Sequence, residues 1–322
     1  MNTKTKGTIA AVISAMTWAL DTVFIGVILA HTLFVSTEQI IFLAPLISTY
    51  FHDAFSAVWV MIYMAFKGEL KNSFAKMKTR SGRYVMLAAL MGGPVGMTCY
   101  VLAVKYIGAS YTASISAVYP AVGAFFAFLW LKDKLSIRNW IGLFVSILFI
   151  FILGYSSGGL GPNATLGFIF ALGSVFGWGM ECVICAYGMK DEEVTPEHAL
   201  QIRQVTSALV FGLIIIPIFG GYSVIGDIIM SKEMIYIALV GLCGAVSYLG
   251  YYKAINEIGP TRAMAINITY VSWTIFFGFI FFGSPVTAKL LLCSVMIIVG
   301  SIITVANPDE LNFKKLFKKA AA

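Results

Sequence analysis

The sequence predicts an all-α integral membrane protein whose ten transmembrane helices form two inverted five-helix repeats, with both termini in the cytoplasm. Three observations carry this prediction: the composition, a series of long apolar runs, and the recurrence of first-half residues in the second half. Of the 322 residues, 59% are hydrophobic and only 11% are charged, and the mean hydropathy is +0.88. A chain of this length then has too little polar surface to cover a soluble globule, so we expect it in a bilayer.

A helix that crosses the bilayer needs about 20 mainly apolar residues. The sequence contains ten such runs, separated by charged residues, prolines and glycines, at 8–30, 38–66, 84–104, 109–131, 138–155, 165–188, 197–220, 234–255, 261–282 and 287–305. The polar stretches between them are too short to bury a core of their own, so no soluble catalytic domain is expected. We divide the chain into a first repeat (1–158), a second repeat (159–306) and a basic cytoplasmic tail (307–322).

Basic residues are distributed unevenly between the two predicted sides of the membrane. With a cytoplasmic N-terminus, the opposite side holds only Lys105, Lys232 and Lys289 of the 22 lysine and arginine residues. Arg203 falls within a span, and the others lie on the cytoplasmic side, six of them in the loop 67–83. Cytoplasmic loops carry an excess of Lys and Arg, which predicts that both termini are cytoplasmic. The net charge of +7 therefore indicates contact with anionic lipid headgroups and not with nucleic acid.

Residues of the first half recur in the second half 151 positions later. The matching pairs are Gly93 and Gly244, Val95 and Val246, Tyr100 and Tyr251, Ala103 and Ala254, Ile107 and Ile258, Gly108 and Gly259, and Tyr119 and Tyr270. The same offset places 52–56 (HDAFS) on 203–207 (RQVTS), whereas Trp18 meets Trp178 at an offset of 160. Because each copy has an odd number of helices, the second copy must enter the membrane from the opposite side. Inverted repeats are characteristic of secondary transporters, whose substrate sites lie near the bilayer midplane between the copies.

A tryptophan precedes an acid by three residues in each copy. Residues three apart share a helix face, so Trp18 lies beside Asp21, and Trp178 lies beside Glu181. A carboxylate in the hydrocarbon core costs several kcal/mol, so such a group faces a cavity or a partner and usually marks a transport pathway. The face of an indole ring attracts cations. Together, the two groups predict a site for an organic cation.

Other aromatic residues with repeat symmetry extend this site. Tyr119 and Tyr270 correspond to each other, and three further tyrosines cluster on one span, at 248, 251 and 252. Quaternary ammonium groups have no N–H to donate and are commonly held by aromatic cages. Packing is the alternative role for each of these rings.

Three further polar side chains fall inside spans: His52, Asp53 and Arg203. With Asp21 they form a candidate proton relay, since histidine and desolvated carboxyl groups can titrate near neutral pH. The alternative is a structural role in which Arg203 pairs with a carboxylate or a helix end.

All five cysteines lie within predicted spans, at Cys99, Cys182, Cys185, Cys243 and Cys293. The pair at 182 and 185 forms a C-x-x-C motif, but there is no second pair and the histidines are scattered. We therefore expect buried thiols, no metal site and no cofactor.

Four stretches resemble one group of transporters. They are GGPVGMTCYVLAVKYIGASYTASISAVYPA (92–121), GWGME (177–181), IRQVTS (202–207) and AINITYVSWT (265–274). With the ten spans and the repeat, the chain resembles the drug/metabolite transporter superfamily, EamA type, over essentially its whole length. Within that superfamily it is most similar to the bacterial Lic-type choline permeases.

The resemblance implies a choline-importing permease whose substrate cage is built from aromatic side chains and a carboxylate. The residues that match are Trp18, Tyr119, Trp178, Glu181 and Tyr270, with Tyr248 and Tyr251 alongside. The chain departs from the family pattern at Asp21, where the family has a small residue, and at Tyr100, where it has an amide-bearing one. Both are kept as candidate substrate-binding residues, and they leave open which cation is preferred.

We therefore predict a secondary transporter of the bacterial plasma membrane that imports choline or a related quaternary ammonium compound by alternating access. The sequence leaves proton coupling open. An exporter of amino acids, polyamines or toxic cations is the alternative within the superfamily, since the sequence does not show direction. An enzyme is disfavoured because no nucleophile-and-base grouping recurs with usable spacing.

The expected partners are a small organic cation and the lipid bilayer. The oligomeric state stays open at this point, because Gly278 and Gly300 suit a dimer interface and packing within the chain equally well.

Overall fold

The structure, a computed structural model, describes residues 3–31, 34, 38–130, 136–155, 162–189, 193–258, 263 and 266–305. In these residues the chain forms helices and no strand. The helices are α1 (Thr3–Leu29), α2 (Glu38–Phe66), α3 (Leu70–Lys76), α4 (Arg80–Ser116), α5 (Tyr119–Trp130), α6 (Ile137–Tyr155), α7 (Ala164–Met189), α8 (Pro196–Ile218), α9 (Tyr222–Ile229), α10 (Glu233–Ile258), α11 (Tyr270–Phe282) and α12 (Ala288–Val305).

Several of these helices have the length and composition of membrane spans. Within the described residues, five stretches are long and apolar enough to cross a bilayer: Thr5–Leu29, Arg80–Ser116, Ala164–Cys185, Pro196–Ile218 and Glu233–Ala254. The apolar segments Ile137–Leu153, Tyr270–Phe282 and Ala288–Thr304 are shorter. The prediction of an all-helical membrane protein is therefore confirmed.

Two short helices lie where the sequence predicted only connecting loops. Helix α3 lies in the basic segment 67–83, and α9 lies between the predicted spans 197–220 and 234–255. Helix α9 is amphipathic, with Val224 and Ile228 buried on one face. Two apolar residues four apart give even a short segment a face that can pack against the bundle.

The predicted fourth span, 109–131, is interrupted in its middle. Helix α4 continues past a kink at Gly108, where φ is +79°, and ends at Ser116, and α5 begins only at Tyr119. Pro120 explains the interruption, because it lacks the N–H that a continuous helix would bond to the Ser116 carbonyl. The interruption is a turn at Ala117 and Val118. A second turn, at Ile268 and Thr269, precedes α11 and lies 151 residues after the first.

The helices of the two halves pack in corresponding pairs. Helix α1 packs along α10, and α7 packs along α4; likewise α1 contacts α11, and α7 contacts α5. Helix α2 contacts α10, and α8 contacts α4. Two further pairs, α2 with α8 and α6 with α12, join equivalent helices of the two halves.

Close packing of α6 and α12 explains one of the small residues left open by the sequence. A Cβ at Gly142 would lie 2.6 Å from the Gly300 carbonyl oxygen, and a Cβ at Gly300 would lie 2.4 Å from Ser146 Oγ. Gly300 therefore serves packing within the chain, since a larger residue would separate the two helices.

Candidate functional site

Five aromatic side chains from five helices meet at the centre of the bundle. They are Trp18 of α1, Tyr100 of α4, Tyr119 of α5, Trp178 of α7 and Tyr248 of α10, here called the aromatic cluster. The centroid of the Trp18 ring system lies 5.6 Å from that of Trp178, 5.7 Å from that of Tyr248 and 5.9 Å from that of Tyr100. Tyr100 and Trp178 are 4.8 Å apart, and Tyr119 and Trp178 are 6.0 Å apart. Such tilted and edge-to-face contacts are favourable arrangements of aromatic rings.

The rings of the cluster are held in place by the helix backbone and by hydroxyl groups. The indole N–H of Trp178 donates to the Gly92 carbonyl at 3.2 Å, and a Cβ at Gly96 would lie 2.7 Å from the same ring. The hydroxyl groups of Tyr100 and Thr22 are 2.6 Å apart. Gly92 and Gly96 lie in a π-helical turn of α4 that contains Pro94, so the helix bulges where the indole packs.

Glu181, one turn from Trp178, is paired with Arg203 of α8. The Arg203 Nε donates to Glu181 Oε1 at 2.5 Å, and both side chains are nearly buried. The guanidinium carbon of Arg203 lies 4.5 Å from the ring centroid of Tyr248, and Arg203 Nη1 donates to Gln204 Oε1 at 2.9 Å. The pairing of Arg203 with a carboxylate, one of the two alternatives drawn from the sequence, is therefore present in the structure.

Asp21, one turn from Trp18, contacts His52 of α2. The distance from His52 Nε2 to Asp21 Oδ2 is 2.8 Å, and that from His52 Nδ1 to Asp53 Oδ1 is 2.9 Å. All three side chains are buried. Because each ring nitrogen faces a carboxyl oxygen, either the imidazole is charged and donates twice, or one carboxyl group carries the proton.

The two buried pairs occupy corresponding positions of the two halves. Asp21 and Glu181 correspond at the offset of 160, and His52 and Arg203 correspond at the offset of 151. The bonds between α2 and α8 also match: Ser207 donates its hydroxyl hydrogen to Asp53, and Gln204 Nε2 donates to Ser56 Oγ at 2.7 Å. Offset 151 relates Asp53 to Gln204 and Ser56 to Ser207, so each bond has its counterpart.

Two of the predicted cage residues lie beside the aromatic cluster instead of in it. The Tyr270 hydroxyl lies 2.7 Å from Ser116 Oγ and donates to the Ala113 carbonyl at 3.2 Å. Tyr251 contacts the ring of Tyr252 at 6.1 Å and packs near Ala10 and Ala254. The hydroxyl group of Tyr251 bonds to that of Tyr119, so Tyr251 reaches the cluster through its hydroxyl group. Within the described residues, no ring-to-ring contact joins Tyr251 or Tyr270 to the five rings of the cluster.

Several polar residues of this centre were not singled out from the sequence. Ser56, Gln204 and Ser207 complete the bonds between α2 and α8, and Thr22 holds the hydroxyl of Tyr100. The signal for the two serines was present, since they are the identical last residues of HDAFS and RQVTS. Isolated threonine and glutamine residues within an apolar run carry no comparable signal.

A groove opens in the side of the bundle between α1, α10 and the end of α11. It has a volume of about 350 Å³, and it is lined by apolar side chains that include Phe24, Tyr236, Leu239 and Phe282. At its rim, His31 Nδ1 lies 2.6 Å from a carboxylate oxygen of Glu233.

A smaller void lies close to this groove. It measures about 10 Å³, and it shares Ile28 and Val240 with the groove while reaching His52. A volume of this size holds about one water molecule. The void thus reaches the Asp21–His52 pair at the imidazole of His52.

Comparisons with known proteins find similarity to transporters along most of the chain. The model of the EamA-like transporter family matches residues 5–155 and 165–306. Protein LicB of Haemophilus influenzae is 31% identical over 224 residues, which cover 70% of this chain and 75% of that protein. An uncharacterized transporter of Clostridium kluyveri is 21% identical over 268 residues, covering 82% of this chain and 85% of that one.

A solved crystal structure has the same fold. It superposes with a TM-score of 0.58 at 13% sequence identity, over 96% of this chain and 98% of that chain. The family match covers nearly the whole described bundle, and the LicB identity extends over two thirds of the chain. The chain belongs to the EamA-like transporter family.

Proposed function

We propose that this transporter imports choline or a related quaternary ammonium compound across the bacterial plasma membrane by alternating access. One observation carries the proposal: five aromatic rings from five helices meet beside the buried carboxylate of Glu181. Each cation–π contact contributes about 0.5 to 2 kcal/mol when it is desolvated, and a carboxylate adds a counter-charge. The similarity of 92–121 to the Lic-type choline permeases supports the same substrate class.

The cation must separate some of these rings in order to enter. A cation bound to two ring faces lies up to about 6 Å from each centroid, so the two centroids stand well apart. Trp18 and Trp178 contact each other at 5.6 Å and so leave no room between them. Binding therefore requires α1 and α7 to move relative to each other, and these helices belong to different halves.

The proposed architecture is ten transmembrane helices in two inverted repeats, with both termini in the cytoplasm. Two observations support it: the family model matches the first and second halves separately, and the helix pairs α1–α10 and α7–α4 correspond. Rocking one repeat against the other would then expose the centre alternately to each side.

The proposed route of protons, if transport is coupled to them, runs through Asp21, His52 and Asp53. The three groups share hydrogen bonds, and the small void that has Ile28 and Val240 in common with the side groove reaches His52. Arg203 contributes a fixed positive charge close to Asp53. The imidazole can pass a proton between its two carboxyl neighbours because it bonds to both.

The experiment that tests the proposed function compares choline with its neutral carbon isostere, in which carbon replaces the nitrogen. Labelled choline should accumulate in proteoliposomes that contain the protein. The isostere should compete at least about tenfold more weakly, because losing one cation–π contact of about 1 to 2 kcal/mol already approaches that factor. Equal competition by the two compounds would show that the rings do not recognise charge. Movement of choline only outwards through the transporter would indicate an exporter.

Replacing Asp21 by asparagine should remove the response of uptake to a proton gradient. Asparagine keeps the size and the hydrogen bond to His52 but cannot exchange a proton. Wild-type uptake should rise when the outer solution is more acidic than the lumen, whereas Asp21→Asn should give the same rate with and without the gradient. Equilibrium binding of choline should change little.

The matched control is Asp227→Asn, an exposed acid on α9. This variant should respond to the gradient as the wild type does. If Asp21→Asn keeps the full response between about pH 5.5 and about pH 8.5, Asp21 is not part of a proton route.

A further inference from the structure

The buried charges at the centre of the bundle do not balance among themselves. Within the described residues, three carboxyl groups lie there, those of Asp21, Asp53 and Glu181, together with two basic side chains, His52 and Arg203. His52 lies between the first two acids, and Arg203 bonds to the third. With all five groups charged, the centre carries one excess negative charge, which a monovalent cation would neutralise.

Arg203 already occupies the features that a bound organic cation would use. Its guanidinium group bonds to the Glu181 carboxylate at 2.5 Å and lies over the Tyr248 ring at 4.5 Å. A carboxylate and an aromatic face are the partners that recognise a quaternary ammonium group. The other oxygen of Glu181 is directed at α4, since a Cβ at Gly92 would lie 1.9 Å from Oε2. Arg203 therefore holds Oε1, and Oε2 packs against the backbone of α4 at Gly92.

The surroundings of Arg203 nevertheless offer its guanidinium group partners other than Glu181. Arg203 Nη2 is buried and has no hydrogen-bond partner among the described residues, so the guanidinium group is incompletely satisfied where it lies. Gln204 holds Nη1, and the Asp53 carboxylate lies close enough to interact with the guanidinium charge. If Arg203 leaves Glu181, these two groups remain to receive it.

We propose that Arg203 is a resident cation that competes with the transported cation for Glu181 and Tyr248. The inference rests on the proposed function and deepens it, because it makes Arg203 a specificity-determining residue. The arriving cation takes Glu181, Arg203 moves towards Asp53, and His52 stays with Asp21. Each of the three acids then has one cationic partner.

This exchange excludes neutral molecules from the site. A neutral molecule of the same shape fits the rings, but it cannot compensate Glu181 when the guanidinium group leaves, and an uncompensated buried charge is costly. The exchange also aids release, because the returning guanidinium group displaces the bound cation. The bond between Glu181 of α7 and Arg203 of α8 breaks each time a cation binds. Occupancy of the site is therefore linked to the relative position of these two helices.

The test measures binding and transport separately in Arg203→Gln. If Glu181 is free of Arg203 in about one wild-type molecule in ten, removing the competitor should tighten choline binding about tenfold. The maximal rate of uptake should fall, because release loses its displacing group. Weaker or unchanged binding in a folded Arg203→Gln protein would overturn the inference. If Arg203→Gln does not fold, Arg203→Lys carries the same test. The compact ammonium of lysine covers less of the Tyr248 ring, so it should compete less well than arginine and choline should bind more tightly than to the wild type.

A second measurement does not depend on choline. Methylguanidinium should restore the melting temperature of Arg203→Ala by refilling the space beside Glu181, and it should have no such effect in Arg203→Ala/Glu181→Gln. Restoration in both variants, or in neither, would overturn the inference. If wild-type protein does not bind choline but methylguanidinium restores Arg203→Ala, the proposed substrate is wrong and the resident cation stands.

Discussion

Replacing Trp18 by leucine is expected to abolish choline uptake. The indole of Trp18 contacts three rings of the aromatic cluster, Tyr100, Trp178 and Tyr248, and it comes from a different half of the chain than Trp178. Leucine keeps an apolar side chain at this position but removes the π face, which is worth about 1 to 2 kcal/mol for a desolvated cation. It also opens a gap among the remaining rings, so the loss should exceed the factor of about ten that this energy alone gives. Trp178→Leu should have the same effect.

Two matched variants separate recognition from packing. Trp18→Phe retains an aromatic face and should keep part of the uptake. Trp140→Leu changes a 41% exposed tryptophan of α6, whose ring packs against those of Phe125 and Phe128, and this variant should behave as wild type. Initial rates in proteoliposomes and melting temperatures in detergent would be measured for all four variants. If Trp18→Leu and Trp140→Leu take up choline equally well, the aromatic cluster is not the substrate site.

Replacing Glu181 by glutamine is expected to weaken choline binding strongly. Two unit charges about 5 Å apart interact by on the order of 3 kcal/mol at an effective dielectric constant of about 20, which corresponds to about a hundredfold in the dissociation constant. The variant also leaves Arg203 without its carboxylate, so its positive charge would repel an entering cation. Glutamine keeps the size of the side chain and an oxygen that can still accept a hydrogen bond from Arg203, so the bundle should still assemble.

A second buried acid serves as the control for this change. Glu233 bonds to His31 at the rim of the side groove and does not contact the aromatic cluster. Glu233→Gln should therefore bind choline as the wild type does, as measured by equilibrium binding to purified protein. Normal binding by Glu181→Gln together with lost binding by Asp21→Asn would mean that the two acids have exchanged roles.

The fold was predictable because its main signals are local. Composition and apolar runs identify membrane helices whatever their neighbours are. The matching residues at offset 151 predict two repeats, and the repeat itself stays a prediction. The interruption before Tyr119 was not predicted, although Pro120 was visible, because apolar residues continue through it without a change in composition. The short helix α9 was missed because it lies in a connection that reads as loop.

The site was predictable only as a set of residues and not as an arrangement. Trp-x-x-acid in each copy drew attention to Trp18 and Trp178, and the structure brings these two rings together. The sequence did not show that Arg203 would take Glu181 as its partner, because pairing across 22 positions depends on how α7 and α8 pack. Equally, nothing local distinguished Tyr248, whose ring packs against Trp18, from Tyr251, which reaches the cluster through a hydroxyl bond to Tyr119. Substrate recognition by these residues stays a prediction.

The corresponding pairs at the centre differ in one respect that concerns how such a protein can evolve. Asp21 with His52 and Glu181 with Arg203 stand at equivalent places, yet an imidazole can give up its proton, whereas a guanidinium group keeps its charge. In a dimer of identical five-helix chains, every substitution would appear at both places. Either both pairs could then exchange a proton, or neither could. Joining two copies in one polypeptide removes that restriction. A duplicated chain can therefore assign proton exchange to one half and permanent charge to the other, which a symmetric assembly cannot do.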